Sequence, residues 1–565
     1  MKKLISILLS VLMIFSLVSV GVSAADEKDL KITVANDLHY NLIYGAYIGD
    51  AYYDNDYSHV PENGQLWIES ILIINTFFDE IAKNDSEILL IPGDLVDHGS
   101  IKEHEAFSAL LADFEKTSGK RVYVVPGNHD YYGTDKITPE DFATFYKEFG
   151  YNESTTVRDT NSASYTVDLN DEYRLLAVDS CKPGDGVSGI GEERKAWIEE
   201  QAKKAEKDGK KVISMMHHNM LDHFIFGEMI HPGAFVDSEI GLPELYAQYD
   251  IRFNLTGHTH SHDIKAYTGS NGVTIYDILT SSLNLYPLPY RNITFGKEVK
   301  IETEIIETVD VTTKEGIISE NCYKLATENF QEYAYACASI GLDSVMDSYL
   351  SVSKIESLLH LNPVDDAEIC SIIEKLLPSF RELIAMPLYK NDAMTGESLE
   401  VYAKELKLDF PKTELKTFKE LAIFLYQQYV IGDENFGVFS AEFVLLSAAL
   451  TTILNKLLAD VSAEDYTNLL NYLAKYFNLK SIDGLSAYAG DAVSRMKGID
   501  LFVSALGNSV ILYFTTDELP ADNNVTLPGY EEPAVAEEEL SLWDKIVDFF
   551  RSIFDYFLRI FGIGK

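Results

Sequence analysis

The stretch VVPGNHDYYG, residues 124–133, ends an apolar run with a group of polar residues. Its valines predict a buried β-strand, and the Pro-Gly pair that follows requires the chain to turn. The turn places Asn128, His129 and Asp130 side by side. Three adjacent polar side chains are poor material for a protein core, so this turn is a candidate site for chemistry.

Four other apolar runs also end in a cluster of carboxylates or imidazoles. One such motif alone is weak evidence, because an Asp-x-His pair is commonly a surface turn or a hydrogen-bonded core group. Five in order, each after a predicted strand, indicate one shared site. The other four clusters are Asp37 and His39 in NDLHY, Asp94 and Asp97 in IPGDLVDHG, His217 and His218 in MMHHNM, and His258, His260 and His262 in LTGHTHSH.

These side chains offer oxygen and imidazole ligands and no thiolate, a set that suits hard or borderline divalent metals. Such a set can hold two ions about 3.5–4 Å apart if one carboxylate bridges them, and paired ions clamp a phosphoryl group and activate a water. Glycines precede Asp94, Asn128 and His258. They allow the backbone to turn sharply and to approach the ions.

Between about residues 30 and 280, short apolar runs alternate with amphipathic stretches. This alternation predicts an α/β or α+β layered core in which β-sheets are flanked by helices and ligands bind at strand ends. The predicted strands are LKITVAN, EILLIP, RVYVVP, YRLLAVDS, KVISMMH and IRFNLTG, and the predicted helices include LWIESILIINTFFDEIAKN and EERKAWIEEQAKKAEK.

Beyond residue 312 the apolar residues have helical spacing, and an acidic, proline-containing segment follows that is too polar to fold alone. The last segment has one polar stripe and a wide face of phenylalanines, which predicts an amphipathic helix that contacts protein or a membrane interface. The predicted organisation is a signal peptide at 1–24, a catalytic domain at 25–311, a helical domain of unknown role at 312–516, a linker at 517–540 and the amphipathic helix at 541–565.

The N-terminal segment has two lysines, an apolar run from Leu4 to Val20 and small residues before Ala25. This pattern predicts a cleaved export signal, so the protein is expected to be secreted or extracytoplasmic. The expected membrane contact is peripheral and is made by the C-terminal helix. The formal net charge of −43 makes nucleic acid an unfavourable partner. Four cysteines are too few to stabilise a chain of 565 residues.

The ordered motifs Asp-x-His, Gly-Asp-x-x-Asp, Gly-Asn-His-Asp, a later His and Gly-His-x-His resemble those of the calcineurin-like metallophosphoesterases, over about residues 30–270. The resemblance implies two divalent or mixed-valence ions, with iron, manganese and zinc as candidates, and a metal-bound hydroxide that attacks phosphorus. The implied ligands are Asp37, His39 and His260 for one ion, Asn128, His217 and His258 for the other, and Asp94 as the bridge.

The resemblance also implies that His129 stabilises the transition state or protonates the leaving oxygen, so Asp94 and His129 are the predicted catalytic residues. Asp97 or Asp130 would orient neighbouring groups. His217 is chosen as the ligand because it directly follows the strand, which leaves His218 as a supporting or substrate-contacting residue. Ordinary polar surface roles are expected for three further histidines, which are His98, His104 and His262.

The segments AVDS and ERKAWIEEQ are loosely similar to the cyclic-nucleotide and glycerophosphodiester branch of this family. The expected function is therefore hydrolysis of small-molecule or head-group phosphomonoesters or phosphodiesters. A tyrosine-rich insertion at residues 40–65 either forms a rim for the substrate or packs as a surface loop. Two alternatives remain: a nuclease with the same metal site, and a surface-associated binding protein whose metal core is structural.

Overall fold

The structure is a computed structural model. It describes residues 29–42, 63–152, 154–223, 233–311, 320–390, 397–432, 440–477, 479, 485–516 and 522–530.

Two mixed β-sheets form the predicted catalytic domain in the described residues. The first has the strand order β13-β12-β11-β1-β2-β3, and the second has the order β4-β5-β6-β7-β8-β10-β9. The strands are β1 (Leu30–Val34), β2 (Ile88–Ile91), β3 (Arg121–Val124), β4 (Thr156–Arg158), β5 (Tyr165–Asp168), β6 (Tyr173–Val178), β7 (Lys211–Met216), β8 (Phe253–Thr256), β9 (Asp263–Thr268), β10 (Thr274–Leu279), β11 (Pro289–Phe295), β12 (Glu298–Ile305) and β13 (Asn524–Pro528).

The two sheets pack against each other through alternate residues of their strands. In β6, Leu175 and Ala177 belong to the core shared with the first sheet, whereas Leu176 and Val178 face the helices on the other side. This is the period of two that a strand buried on both faces requires. The six strands that the sequence predicts are all present, as β1, β2, β3, β6, β7 and β8.

In the described ranges of this domain, five helices flank the sheets. The first two pack against the first sheet and the last two helices cover the second sheet. These helices are α1 (Ser70–Ile81), α2 (Ile101–Ser118), α3 (Pro139–Phe145), α4 (Glu192–Asp208) and α5 (Leu242–Gln248). The layered α/β fold expected from the sequence is confirmed.

The described residues beyond the catalytic domain are mainly helical, as predicted, and have hydrophobic clusters of their own. Their helices are α6 (Glu320–Glu328), α7 (Phe330–Tyr349), α8 (Val352–Leu358), α9 (Ala367–Ile384), α10 (Leu399–Glu405), α11 (Phe418–Ile431), α12 (Ala441–Leu457), α13 (Ala463–Tyr476) and α14 (Ala492–Thr516). Among the helices in the described ranges, none has the length and apolar character needed to cross a bilayer.

The acidic segment at 517–540 is not simply a linker, and the prediction is wrong for residues 524–528. These residues form β13, which pairs antiparallel with β12 at the edge of the first sheet. Leu527 is buried there, and Tyr530 packs its ring against Phe253 and Tyr173 of the second sheet. Pairing with an existing strand edge supplies the burial and hydrogen bonds that an acidic segment cannot obtain alone. The helical region is thus an insertion between two neighbouring strands.

Helix α7 fixes the helical region to the catalytic domain at its other end. Tyr333 and Phe330 lie in the main core, and the Tyr333 hydroxyl donates to the buried carboxylate of Glu69 over 3.1 Å. Both ends of the insertion therefore rest on the layered domain.

Candidate active site

The carboxyl ends of parallel strands meet at one edge of a sheet, and this topology brings the polar clusters together. Strands β1, β2 and β3 are parallel in the first sheet, and β6, β7 and β8 are parallel in the second. The side chains that follow these strands are Asp37 and His39 after β1, Asp94 after β2, Asn128 after β3, His217 after β7, and His258 and His260 after β8.

Four of these residues form the first ligand cluster. The Nε2 atoms of His39 and His260 are 3.2 Å apart, and Nε2 of His260 lies 3.4 Å from Oδ1 of Asp37. Oδ2 of Asp94 is 3.7 Å from Nε2 of His39. One ligand atom from each of the four lies within 4.8 Å of all the others, a spacing that fits a single ion.

The second cluster is centred on His217. Its Nε2 atom lies 2.9 Å from Oδ1 of Asn128, 3.2 Å from Nδ1 of His258 and 3.4 Å from Oδ2 of Asp94. The same Asp94 oxygen thus faces both clusters. The structure brings together all seven sequence-predicted ligands in two sets of four that share Asp94.

The donor set fits a pair of cations. Two ring nitrogens that face each other at 3.2 Å can share only one proton, whereas a cation between them accepts both lone pairs. Burial lowers the pKa of His217, but the charges of Asp94 and Asp37 outweigh this effect and raise the pKa to about 9. Burial also lowers the pKa of His39, but Asp97 and Asp94 outweigh this effect and raise the pKa to about 9. The carboxylates therefore favour positive charge at both clusters, which bound ions would supply in place of protons.

Five ligands have a left-handed backbone, which side-chain-bearing residues rarely adopt. The φ angles are 50° at Asp37, 42° at His39, 48° at Asp94, 74° at His258 and 54° at His260. Each such residue costs roughly 1–3 kcal/mol and persists only when its surroundings hold it, a pattern typical of functional sites. This energetic cost of the left-handed backbone indicates that the loops are held in the conformation that places these side chains together.

Two glycines allow the ligand loops to approach each other. A Cβ atom on Gly127 would lie 2.1 Å from Oδ1 of Asp94, and one on Gly257 would lie 2.5 Å from Oδ2 of Asp37. Any side chain at either position would displace a ligand carboxylate. The sequence predicted that these glycines allow close approach of the backbone, and the distances agree with this prediction.

His129 lies beside the clusters without belonging to either set of four. Its backbone N–H donates to Oδ1 of Asp94 over 2.8 Å, and its Nδ1–H donates to the carbonyl oxygen of Asp97 over 2.8 Å. That bond fixes the proton on Nδ1 and leaves Nε2 as the nitrogen that exchanges protons. About 32% of the side chain is exposed, so a substrate can reach it.

Two carboxylates orient the groups around the site. Asp97 places Oδ1 3.1 Å from Nδ1 of His39 and accepts a hydrogen bond from Asn41, which agrees with an orienting role. Asp130 accepts from the backbone N–H groups of three residues, Gly127, Leu95 and Val96. It therefore ties the Gly-Asn-His-Asp turn to the Gly-Asp turn, although burial and the charge of Asp94 raise its pKa to about 8.

The expected surface role is wrong for two of the histidines. His104 is fully buried between the Tyr146 hydroxyl and the carbonyl of Asp130, and His262 is fully buried with its Nε2 atom 2.9 Å from the Thr303 hydroxyl. Both satisfy their ring nitrogens inside the protein, which removes the cost of burial. His98 is partly exposed, as expected.

His218 is buried behind the second cluster. Its Nδ1 atom is 2.9 Å from the hydroxyl of Ser180, and its ring centroid is 4.4 Å from that of His258. Both contacts agree with the expected supporting role.

Sequence reasoning missed Asn219, the residue directly after the two histidines. Its amide donates to the carbonyl of Gly257 and to the hydroxyl of Thr256, both over 3.0 Å, and its oxygen accepts from Thr259. Asn219 therefore fixes the loop that contains His258. The signal in the sequence was a polar asparagine that follows a predicted strand and the two histidines.

The tyrosine-rich insertion lies mostly outside the described residues, at 43–62. Of its tyrosines, Tyr40 is described, and it is buried against Phe107 at a ring-centroid distance of 5.5 Å. This tyrosine has a packing role, and the rim role of the others stays a prediction.

The two facing clusters give this domain candidate ligands for a pair of metal ions. Residues 30–262 match the family model of the calcineurin-like phosphoesterases. A curated relative from Arcobacter nitrofigilis, named probable glycerophosphodiester phosphodiesterase GpdQ, is 25% identical over 166 residues. The match covers 28% of this chain and 54% of that protein, so the chain spans about half the length of this relative.

The solved structures that match this chain include a dimetal phosphatase from Danio rerio, with a TM-score of 0.36 and 10% identity over 49% of this chain and 96% of that one. A second is the purple acid phosphatase PPD1 from yellow lupin, with a TM-score of 0.33 and 12% identity over 53% of this chain and 56% of that one.

A buried ionic group behind the second cluster was also missed from the sequence. His223 is fully buried, with Nδ1 2.7 Å from Asp263 and Nε2 3.1 Å from Asp277. Asp277 also accepts from the backbone N–H groups of Met220 and Leu221, each over 2.8 Å. Burial lowers the pKa of His223, but the two carboxylates dominate and raise it to about 10.

We expect His223→Gln to lower the free energy of unfolding by about 3–5 kcal/mol at pH 6, because it leaves two buried carboxylates without their cation. The pKa of His223 is higher in the folded state, so the wild-type advantage is complete below about pH 6.5 and declines toward about pH 10. Urea unfolding of both proteins at several pH values measures this. A difference that grows with pH would contradict the assignment.

Proposed function

We propose that this chain is a metal-dependent phosphoesterase that hydrolyses phosphodiesters of small molecules or head groups. The observation that supports it most is the pair of ligand clusters that share Asp94, with the accessible His129 beside them. Two ions at these clusters would polarise the phosphoryl oxygens and lower the pKa of a water.

The residues of the chain have distinct parts in this reaction. Asp94 holds the two clusters at a fixed separation, since its Oδ2 atom faces both. His129 keeps its Nδ1 proton on the Asp97 carbonyl, so Nε2 is the atom that delivers a proton to the leaving oxygen. Asp97 and Asn219 hold the His39 and His258 loops in place.

The preference for diesters rests on the relative named as a glycerophosphodiester phosphodiesterase. The test is a panel of bis(4-nitrophenyl) phosphate, 4-nitrophenyl phosphate and glycerophosphodiesters, run with protein whose iron, manganese and zinc contents have been measured. Faster turnover of the monoester would overturn the diester preference. Protein with two bound ions and no turnover of any ester would favour a structural metal core in a binding protein.

We expect His129→Ala to retain its metal ions and to lose activity in a way that depends on the leaving group. For alkyl esters, whose leaving oxygen needs a proton, the rate should fall by about 10²- to 10⁴-fold. The loss should be smallest for nitrophenyl esters, because nitrophenolate leaves without protonation. Steady-state rates on both ester types, with metal analysis, measure this.

His360→Ala, which changes an exposed histidine of the helical region, is the matched control for the His129 variant. An equal loss on good and poor leaving groups would rule out the acid role of His129.

We further propose that the protein is exported and that its last segment contacts membranes. Both proposals rest on sequence pattern, since residues 1–28 and 531–565 lie outside the described residues. N-terminal sequencing of protein from the native host should start at Ala25. Liposome flotation should show binding with weak salt dependence that is lost when residues 541–565 are deleted, because ring burial rather than charge provides the attraction.

A further inference from the structure

The Gly-Asn-His-Asp turn ends in two tyrosines with different environments. Tyr131 is 2% exposed and belongs to the core, whereas Tyr132 is 45% exposed. A short 3₁₀ turn over His129–Tyr131 ends at Tyr132, whose backbone N–H donates to the carbonyl of His129. The turn therefore brings Tyr132 to the surface directly beside the catalytic histidine.

The side chain of Tyr132 lies along the edge of the metal-ligand clusters. Its ring centroid is 5.0 Å from that of His129, at an interplanar angle of 55°. Its hydroxyl lies beside the side chain of Asn128, a ligand of the second cluster. If a phosphoryl group binds at the two clusters, an organic substituent that points toward Asn128 and His129 would reach the Tyr132 ring.

Gly186 holds the hydroxyl from the other side. A Cβ atom built on Gly186 would be 2.4 Å from the Tyr132 hydroxyl oxygen and 3.6 Å from its Cζ atom, and apart from the two chain neighbours of Gly186 no other atom of the described residues would lie within 4 Å. The absence of a side chain at this position therefore leaves space for the tyrosine. The ring is confined between the His129 turn and the Gly186 loop while much of it stays accessible.

We propose that Tyr132 is a specificity-determining residue that contacts the organic group of the phosphoester, an inference that rests on the proposed function. A half-exposed ring that is held in one orientation can stack on an aryl or alkyl substituent at little conformational cost. The residue should therefore favour esters with a sizeable organic group over small phosphates.

Calorimetric binding of phenylphosphonate and methylphosphonate to the metal-loaded protein tests this without catalysis. Tyr132→Ala should weaken phenylphosphonate binding by about tenfold, since an aromatic contact is worth up to about 1.5 kcal/mol, and methylphosphonate by less than about twofold. Tyr335→Ala, which removes a 43% exposed tyrosine from α7 of the helical region, is the matched control and should change neither affinity.

A double-mutant cycle with Gly186 separates contact from general damage. Gly186→Ala should displace the Tyr132 hydroxyl and weaken phenylphosphonate binding. Tyr132→Phe removes the clashing oxygen and leaves Cζ at an ordinary contact distance, so the double variant should regain the affinity of Tyr132→Phe alone.

The inference is overturned if the two phosphonates weaken equally in Tyr132→Ala, or if Gly186→Ala is as harmful in the Tyr132→Phe background as in the wild type. Failure of the proposed function would look different. In that case the wild-type protein would bind both phosphonates, with Tyr132 still selecting the phenyl compound, but would hydrolyse no ester.

Discussion

Asp94→Ala should release metal from both clusters and lower turnover of bis(4-nitrophenyl) phosphate by more than about a thousandfold, because paired ions contribute several kcal/mol to such a reaction. Oδ2 of Asp94 faces His39 at 3.7 Å and His217 at 3.4 Å, so this one side chain serves both ligand sets. Its Oδ1 atom accepts from the backbone of His129, so the turn beside the site loosens as well.

Two further variants make the Asp94 result interpretable. Asp94→Asn keeps the shape of the side chain and removes its charge. It should lose nearly as much metal and turnover as Asp94→Ala, because the negative charge is what attracts the two ions. Asp97→Asn should keep both ions, and its turnover should fall by only about 10- to 100-fold, because Asp97 orients His39 without facing the second cluster.

Metal content by mass spectrometry, measured together with turnover, tests the Asp94 prediction. An Asp94→Ala protein with two ions and normal rates would show that the assigned bridge is wrong.

Deletion of residues 520–565 should destabilise the catalytic domain, although the deleted residues lie more than 200 positions after its last predicted residue. Strand β13 and the buried Leu527 would be lost, and the fully buried guanidinium of Arg291 would lose the Asp522 carbonyl to which it donates. Burial of one leucine is worth roughly 2 kcal/mol and a hydrogen bond from a charged group roughly 1.5–3 kcal/mol, so the loss should reach about 5 kcal/mol.

A loss of this size lowers the melting temperature by about 10–20 °C in a domain of this length. The matched control is deletion of residues 536–565, which keeps β13 and should melt near the full-length protein. The point variant Leu527→Ala should cost about 2–5 kcal/mol on its own. Differential scanning calorimetry of the set measures this, and a 520–565 deletion that melts together with its control would refute a structural role for β13.

The ligand residues could be found from the sequence because each follows an apolar run. The runs before Asp94 and Asn128 become parallel strands β2 and β3, so residues far apart in sequence reach the same sheet edge. The ends of α2 are also set by nearby residues in the structure: Ser100 and Glu103 form a capping box at its start, and Gly119 ends the helix in the left-handed conformation. Signals of this kind lie within a few residues of the element that they define.

The burial of His104 and His262 could not be predicted in this way. A histidine near polar residues resembles a surface residue unless its distant partners are known. His104 is satisfied by Tyr146, 42 positions away, and His262 by Thr303, 41 positions away. The same is true of His223, whose carboxylate partners belong to β9 and β10.

The sequence by itself determined the identity and order of the candidate metal ligands and the alternation of strands and helices, because side-chain chemistry and apolar periodicity are local properties. Only the tertiary structure decided which oxygen of Asp94 faces both clusters, that Tyr132 rather than Tyr131 lies at the rim, and that an acidic segment near the C-terminus completes the first sheet. These features depend on contacts between segments distant in the chain, and such contacts leave no periodic signal in either segment alone.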